Sequence, residues 1–355
     1  VLLQRLDHPD EATMVAERIQ RELARPVEEA AGETPSASIG ITLSTTGYQR
    51  PEQLLQEADA AMYRAKAEGR SRCEIFDAGM RRRMAARQRV QDELRQAVAK
   101  QEFGVHYQPV VDLATGQVRG LEALLRWRGL LLPMDVLALA EETGWIVRIG
   151  SWLTREVCRQ MAEWRAHHAA AQDLYVTVHA SSGQFLRADL VPELRAVLEE
   201  LALPASALAL EVTEDALLKD GALASTQAAA LAELGVVLRL DRFGTGTAAL
   251  NLLRRFPLGG VKLDASMAAA LDTGTAEAQI FPAIIGLVRA LGLPVTATGI
   301  DLEHHARVAR DAGCTEAQGS WFCDSLAPDA VASRILVPGQ PPLGASPSPL
   351  PRITT

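Results

Sequence analysis

Between Glu102 and Leu336 the sequence repeats one device eight times: a short apolar run that closes on a polar or charged residue. The runs are Gly104–Gln108, Gly120–Arg126 (with Glu122 inside it), Leu174–His179, Leu208–Glu211, Val236–Asp241, Val261–Asp264 (with Lys262 inside it), Val295–Thr298 and Glu316–Gln318. Helical stretches separate them, which is the pattern of βα units around a largely parallel sheet. Eight such strands predict an α/β chain closed into a TIM-like (β/α)8-type barrel, with its site at one face. Any single polar strand end is explained by contact with solvent. Acids and lysines are rarely buried without partners, however. Glu122, Glu211, Asp241 and Lys262 taken together therefore point to one shared site. Converging carboxylates beside a lysine suit metal-assisted phosphoryl chemistry.

Charge and composition narrow the partners. The 355 residues carry a net charge of −8, with a pI near 5.5 and 5% aromatics. That combination disfavours a nucleic-acid polymer or an anionic membrane as partner. The basic run Arg81, Arg82, Arg83, Arg87 and Arg89 reads as the solvated face of a connecting helix. Cys73, Cys158, Cys314 and Cys323 form no CxxC pair and read as thiols of a cytoplasmic protein. No apolar run reaches membrane-spanning length. The sequence opens at Val1 in a strand-like Val-Leu-Leu, so a longer protein with sensor or membrane segments upstream is expected. Four parts are expected: a partial α+β domain at 1–79, a connecting helix at 80–101, the barrel at 102–336 and a disordered Pro-rich tail at 337–355.

The motifs then become specific. Tyr107-Gln108-Pro109-Val110-Val111-Asp112, Glu122-Ala123-Leu124-Leu125-Arg126-Trp127, Ala140-Glu141-Glu142-Thr143-Gly144 and Glu211-Val212-Thr213-Glu214 occur in that order. Phe243-Gly244-Thr245-Gly246, Val261-Lys262-Leu263-Asp264 and Gln318-Gly319 follow. Over residues 84–336 the chain resembles the EAL domain family of cyclic di-GMP phosphodiesterases. Ser36 to Ile41 and Ala58 to Lys66 resemble the C-terminal half of a GGDEF domain, whose signature would lie before Val1. The EAL resemblance implies cyclic di-GMP as ligand and a magnesium or manganese centre held by Glu122, Glu211, Asp241 and, at the family's Asn position, His179. It implies catalytic roles for Glu122, Lys262 and Gln318, and contacts to the nucleotide from Gln108, Arg126, Arg242 and Asp264. A homodimer through the segment after Gly246 and a protein partner are further implications.

Departures from the family pattern bear on activity. The second of two adjacent acids before the FGTG motif is Arg242, and the Glu of the AEGVE motif is Thr298. An Arg-Pro pair is replaced by Asp324-Ser325, and the loop after Trp127 is short. Five acids in the family become three acids and one arginine. Like charges about 4 Å apart repel by roughly 4 kcal/mol at an effective dielectric of 20, which disfavours a second divalent cation. Three readings follow: a catalytically impaired cyclic di-GMP receptor, a weak or metal-shifted phosphodiesterase, and a protein-interaction scaffold without nucleotide.

Overall fold

The computed structural model describes residues 1–6, 8–24, 35–44, 50–100, 102–131, 134–244, 249–272, 276–337 and 339–344. It divides into two compact units, Val1–Glu93 and Leu94–Thr355.

In the first unit, β1 (Ile39–Ile41) pairs in parallel with β2 (Cys73–Ile75). A parallel pair needs a long crossover, and the helix Pro51–Ala67 supplies it, starting at a proline that fits the first helical position. Its Ala61 and Ala65 are fully buried. The helix Asp10–Leu23 completes a small core of Ala12, Ala16 and Ile41 with Leu3, Leu6 and Ile75 around it. The strand expected at Val1–Leu3 is not formed: this sheet has only β1 and β2, and Val1 and Leu2 are exposed. The expected connector is one unbroken helix, Ala78–Lys100, and the boundary between the two units falls inside it.

The second unit contains all eight expected strands. They are β3 (Phe103–Asp112), β4 (Val118–Trp127), β6 (Tyr175–His179), β7 (Leu208–Thr213), β8 (Val237–Phe243), β9 (Gly260–Leu263), β10 (Val295–Ala297) and β11 (Glu316–Ala317), with a two-residue β5 (Leu130–Leu131) after β4. The hydrogen-bonded order β3-β11-β10-β9-β8-β7-β6-β4 closes through β3–β4 pairing into a barrel. One strand departs from the parallel scheme. β3 runs antiparallel to both β4 and β11. The link from β3 to β4 is a short turn, too short for a parallel crossover. Asp112 sets that turn: its Oδ1 accepts from the backbone N–H groups of Ala114 (3.0 Å) and Thr115 (2.8 Å).

The short loop after Trp127 is a hairpin. Arg128 (φ 54°) and Gly129 (φ 79°) are both left-handed, as a two-residue type I′ turn requires, and they fold Leu130–Leu131 back onto β4. Helices cover the barrel. In Trp145–His167 the residues Ile149, Leu153, Val157, Met161 and Trp164 recur at helical spacing and are buried. Trp164 meets Tyr107 of β3 edge to face at 4.8 Å, a contact worth about 1 kcal/mol beyond its buried area.

After β11 the chain returns across β3, where Tyr107 and Leu326 exchange two backbone hydrogen bonds of 2.8 Å. The segment 319–326 is thereby laid beside Gln108. Of the tail expected to be disordered, residues 337 and 339–344 are among the described residues. Leu343 donates its N–H to the Gly116 carbonyl at 2.8 Å and packs its side chain on the core, so an apolar residue within the Pro-rich run offsets the ordering entropy. The remaining tail, 345–355, lies outside the described residues.

Close backbone approach fixes Gly319, next to Gln318. A Cβ there would stand 2.1 Å from the Ile300 carbonyl oxygen and 2.4 Å from the Ile300 nitrogen. Gly319→Ala is therefore expected to destabilise the barrel by about 2–3 kcal/mol, read as a lower urea midpoint at an unchanged m-value. A midpoint within error of the parent would show that Ile300 yields without strain.

Candidate functional site

The polar strand ends meet at the C-terminal mouth of the parallel strands, where barrel sites form. The centre is Lys262 of β9, whose side chain is 7% exposed. Its Nζ is 2.8 Å from Glu122 Oε2 and 3.1 Å from Glu211 Oε2. Burial alone would push this ammonium toward deprotonation, but Glu122, Glu211 and Asp241 outweigh it and hold the lysine above its ordinary range. Glu211 responds in the opposite sense to its own burial. Desolvation, opposed by Lys262 but aided by the charges of Glu122 and Asp241, pushes its carboxyl up to about 7.

Two amides order the other side of Glu122. Gln108 lies opposite Glu122 in the β3–β4 register. The Gln318 Nε2 donates to Glu122 Oε2 and, at 3.0 Å, to Gln108 Oε1. Gln108 in turn donates to the Cys323 carbonyl at 3.2 Å, which the Tyr107–Leu326 pairing places there. The Gln318 Oε1 is buried and has no hydrogen-bond partner among the described groups.

Asp241 and His179 form the third part. His179 Nδ1 is 3.6 Å from Asp241 Oδ2 at the end of β6. Burial works against a charge on the imidazole, yet Asp241, Glu211 and Glu122 raise its pKa above the ordinary histidine value. Asp241 is likewise disfavoured by burial but held below the usual carboxylate range by His179 and Lys262. At Asp241–Arg242 the β8–β9 register slips: Leu240 pairs with Val261 and Phe243 with Leu263, so two residues of β8 face Lys262 alone. This is a β-bulge, and Arg242 takes a left-handed φ of 56° within it. Its side chain is 59% exposed, and its Nε is 3.7 Å from Asp264 Oδ2. Asp264 also caps the helix Ala265–Ala270 by accepting from the Ser266 N–H at 2.9 Å.

The remaining expected residues are placed as follows. Thr298 donates its hydroxyl to the Leu263 carbonyl at 2.7 Å. Arg126 donates to Ser325 Oγ at 2.5 Å, so the Asp324-Ser325 replacement supplies a partner for Arg126. Thr245, Gly246, Thr247 and Ala248, the start of the segment tied to dimerisation, lie outside the described residues. Sequence reasoning missed a second buried layer. Glu316 Oε2 accepts from Arg239 Nη1 (2.8 Å), Thr296 Oγ1 (2.8 Å) and Tyr175 OH (3.0 Å), and Arg239 lies over the Tyr175 ring at 4.3 Å. The available signal was parity: Arg239, Thr296 and Glu316 each sit two residues before a mouth residue, on the same face of a strand.

Comparisons with known proteins agree with this architecture. Residues 91–325 match the EAL domain family, and residues 1–72 match the diguanylate cyclase GGDEF domain family. The bifunctional diguanylate cyclase/cyclic di-GMP phosphodiesterase MucR of Pseudomonas aeruginosa is 36% identical over 325 residues, covering 90% of this chain and 47% of that protein. The cyclic di-GMP phosphodiesterase NbdA of the same organism is 35% identical over 331 residues, covering 92% and 42%. The chain thus spans less than half the length of either relative. A solved structure of the PaMucR phosphodiesterase in complex with c-di-GMP superposes with a TM-score of 0.65 at 35% identity, covering 68% of this chain and 99% of that one. No helix among the described residues is long and apolar enough to cross a membrane.

A raised carboxyl stabilises the fold below its ordinary pKa and loses that stabilisation as pH rises through the raised value. In the metal-free chain, Glu211 should therefore cost stability between pH 4.5, its ordinary value, and about pH 7. Glu211→Gln should flatten this fall, and relative to the variant the parent should lose on the order of 2 kcal/mol across the window. Chemical denaturation at pH 4.5 and pH 8 measures the difference, and parallel pH profiles for the two proteins would refute it.

Proposed function

Because the chain belongs to the EAL domain family, we propose that it is the nucleotide-binding part of a cyclic di-GMP signalling protein, acting as a receptor whose phosphodiesterase chemistry is impaired. The observation that carries this reading is the charge around Lys262. Three carboxylates, Glu122, Glu211 and Asp241, remain at the mouth, and the position beside Asp241 is filled by an arginine. That donor set fits one divalent cation, and the orphaned Gln318 Oε1 beside Glu122 adds a neutral oxygen. It is short of donors for two, because an arginine, whose guanidinium lies toward Asp264, stands where the family pattern has a second acid, and the Thr298 hydroxyl is turned to a backbone carbonyl.

When bound, one magnesium or manganese ion would supply Lewis acidity toward a phosphodiester oxygen or water. The chain's own groups do the rest. Lys262 and Arg126 present fixed positive charge at the mouth for the two phosphates of the nucleotide. Ser325 holds the guanidinium of Arg126 in place. Gln108 and Gln318 orient Glu122. Asp241, Glu211 and Glu122 raise the pKa of His179, so any proton it holds competes with a cation for its ring nitrogen. Slow hydrolysis is the second reading, favoured by the retention of Glu122, Glu211, Asp241 and Lys262 together. The names and ligand of the relatives support cyclic di-GMP as the nucleotide.

Calorimetric titration of cyclic di-GMP into the full chain with magnesium should give saturable heat and no lasting turnover signal. Replacing Arg242→Asp and Thr298→Glu together should raise manganese-dependent hydrolysis at least ~100-fold, since removing one repulsion of about 4 kcal/mol corresponds to nearly a thousandfold in cation affinity. Rapid hydrolysis by the unsubstituted chain would overturn the receptor reading. Absence of any binding heat would leave a scaffold role in its place.

A further inference from the structure

Away from the strand ends of the mouth, Asp272, His304 and His305 bring one carboxylate and two imidazoles together, with their ligand atoms all within 4.8 Å of one another. Asp272 follows the helix Ala265–Ala270, which Asp264 caps. The two histidines are the second and third residues of the helix Glu303–Ala312, which follows β10. Adjacent residues of a helix normally diverge. Here the two rings stand edge to face with centroids 4.3 Å apart, and one carboxylate engages both. His304 Nε2 is 2.5 Å from Asp272 Oδ1, and His305 Nε2 is 3.0 Å from Asp272 Oδ2.

The cluster is walled on one side and open on the other. The His305 side chain is 5% exposed, and its Nδ1 is buried without a hydrogen-bond partner. His304 and Asp272 are 43% and 46% exposed. A buried imidazole that spends one nitrogen on a carboxylate and leaves the other unsatisfied is an unusual use of a core position. The functional reading given above makes no use of these three residues.

We propose that Asp272, His304 and His305 form a second metal site, selective for a borderline transition cation of the zinc or cobalt(II) class. Two imidazole nitrogens and one carboxylate oxygen are the donors that such ions favour over magnesium, and three protein ligands leave the outer positions to water. Protonation of either imidazole competes with the cation for its ring nitrogen, so affinity falls as pH is lowered. The ion would tie the segment after β9 to the helix after β10. Those two βα units carry Lys262 and Asp264 on one side and Thr298 on the other, so occupancy braces the part of the mouth where the family pattern is altered.

The test uses the full chain stripped with a chelator and titrated with zinc chloride. A Glu211→Gln background removes a ligand of the mouth, so that zinc binding there does not confuse the count. One equivalent of zinc should bind and raise the melting temperature, while magnesium should do neither. Asp272→Asn and His304→Ala, both at half-exposed positions, should each weaken zinc at least ~10-fold. Cobalt(II) added to the same Glu211→Gln background gives a second readout, an intense visible absorption for few nitrogen and oxygen ligands against the faint band of the hydrated ion, and this absorption should be lost in Asp272→Asn. Unchanged zinc affinity in both variants, or a chain that binds no zinc in the Glu211→Gln background, would overturn the site.

Discussion

An ammonium buried between two carboxylates sets the terms for the whole barrel mouth. Lys262 sits against Glu122 and Glu211 in a region where a lone charge of either sign would be costly to desolvate. Three carboxylates crowded at one end of a barrel would repel one another in the absence of a cation. Lys262 offsets Glu122 and Glu211, and His179 stands 3.6 Å from Asp241. Any metal must compete with the ammonium that the chain already provides. Burial, together with the charges of Glu122 and Asp241, outweighs Glu211's share of one lysine and raises its pKa.

Geometry keeps these charges in register. The antiparallel β3 brings Gln108 opposite Glu122, and the return strand segment at Leu326 brings the Cys323 carbonyl and Ser325 to Gln108 and Arg126. Below them, Arg239, Thr296, Tyr175 and Glu316 replace what would be an aliphatic layer in a barrel filled by branched side chains. A hydrogen-bonded polar layer is directional, so it fixes strand rotation more tightly than interchangeable methyl groups do. Breaking one partner would leave a buried charge uncompensated, which costs far more than the pair contributes.

The strands were legible in the sequence because each is an apolar run bounded by turn or helix signals. Direction was not, since a period of two is the same read either way; only the shortness of the Leu113–Gln117 turn fixes β3 as antiparallel. Two residues carry no periodicity at all, which hid β5, although Arg128-Gly129 held the turn signal. At the site, the strand-end rule found Glu122, Glu211, Asp241, Lys262 and Gln318, and the structure brings these together. Arg239 and Glu316 lie two residues before the strand ends that were weighed, Asp241 and Gln318, and so passed unseen. Substitutions looked like losses in one dimension. In three, Ser325 is a partner for Arg126, and Thr298 is bonded to the Leu263 carbonyl.

The bulge in β8 shows how such a barrel can change its chemistry without changing its shape. Two residues, Asp241 and Arg242, stand where β9 offers only Lys262. The bulge turns Asp241 toward Lys262 and His179, and it puts Arg242 at a left-handed φ with its guanidinium near Asp264. A non-glycine residue there is strained by about 1 kcal/mol whatever its side chain, so the backbone feature does not depend on the arginine. An acid at the same backbone position would add negative charge beside Asp241, and the arginine adds positive charge instead. The fold tolerates both because the side chain reaches solvent.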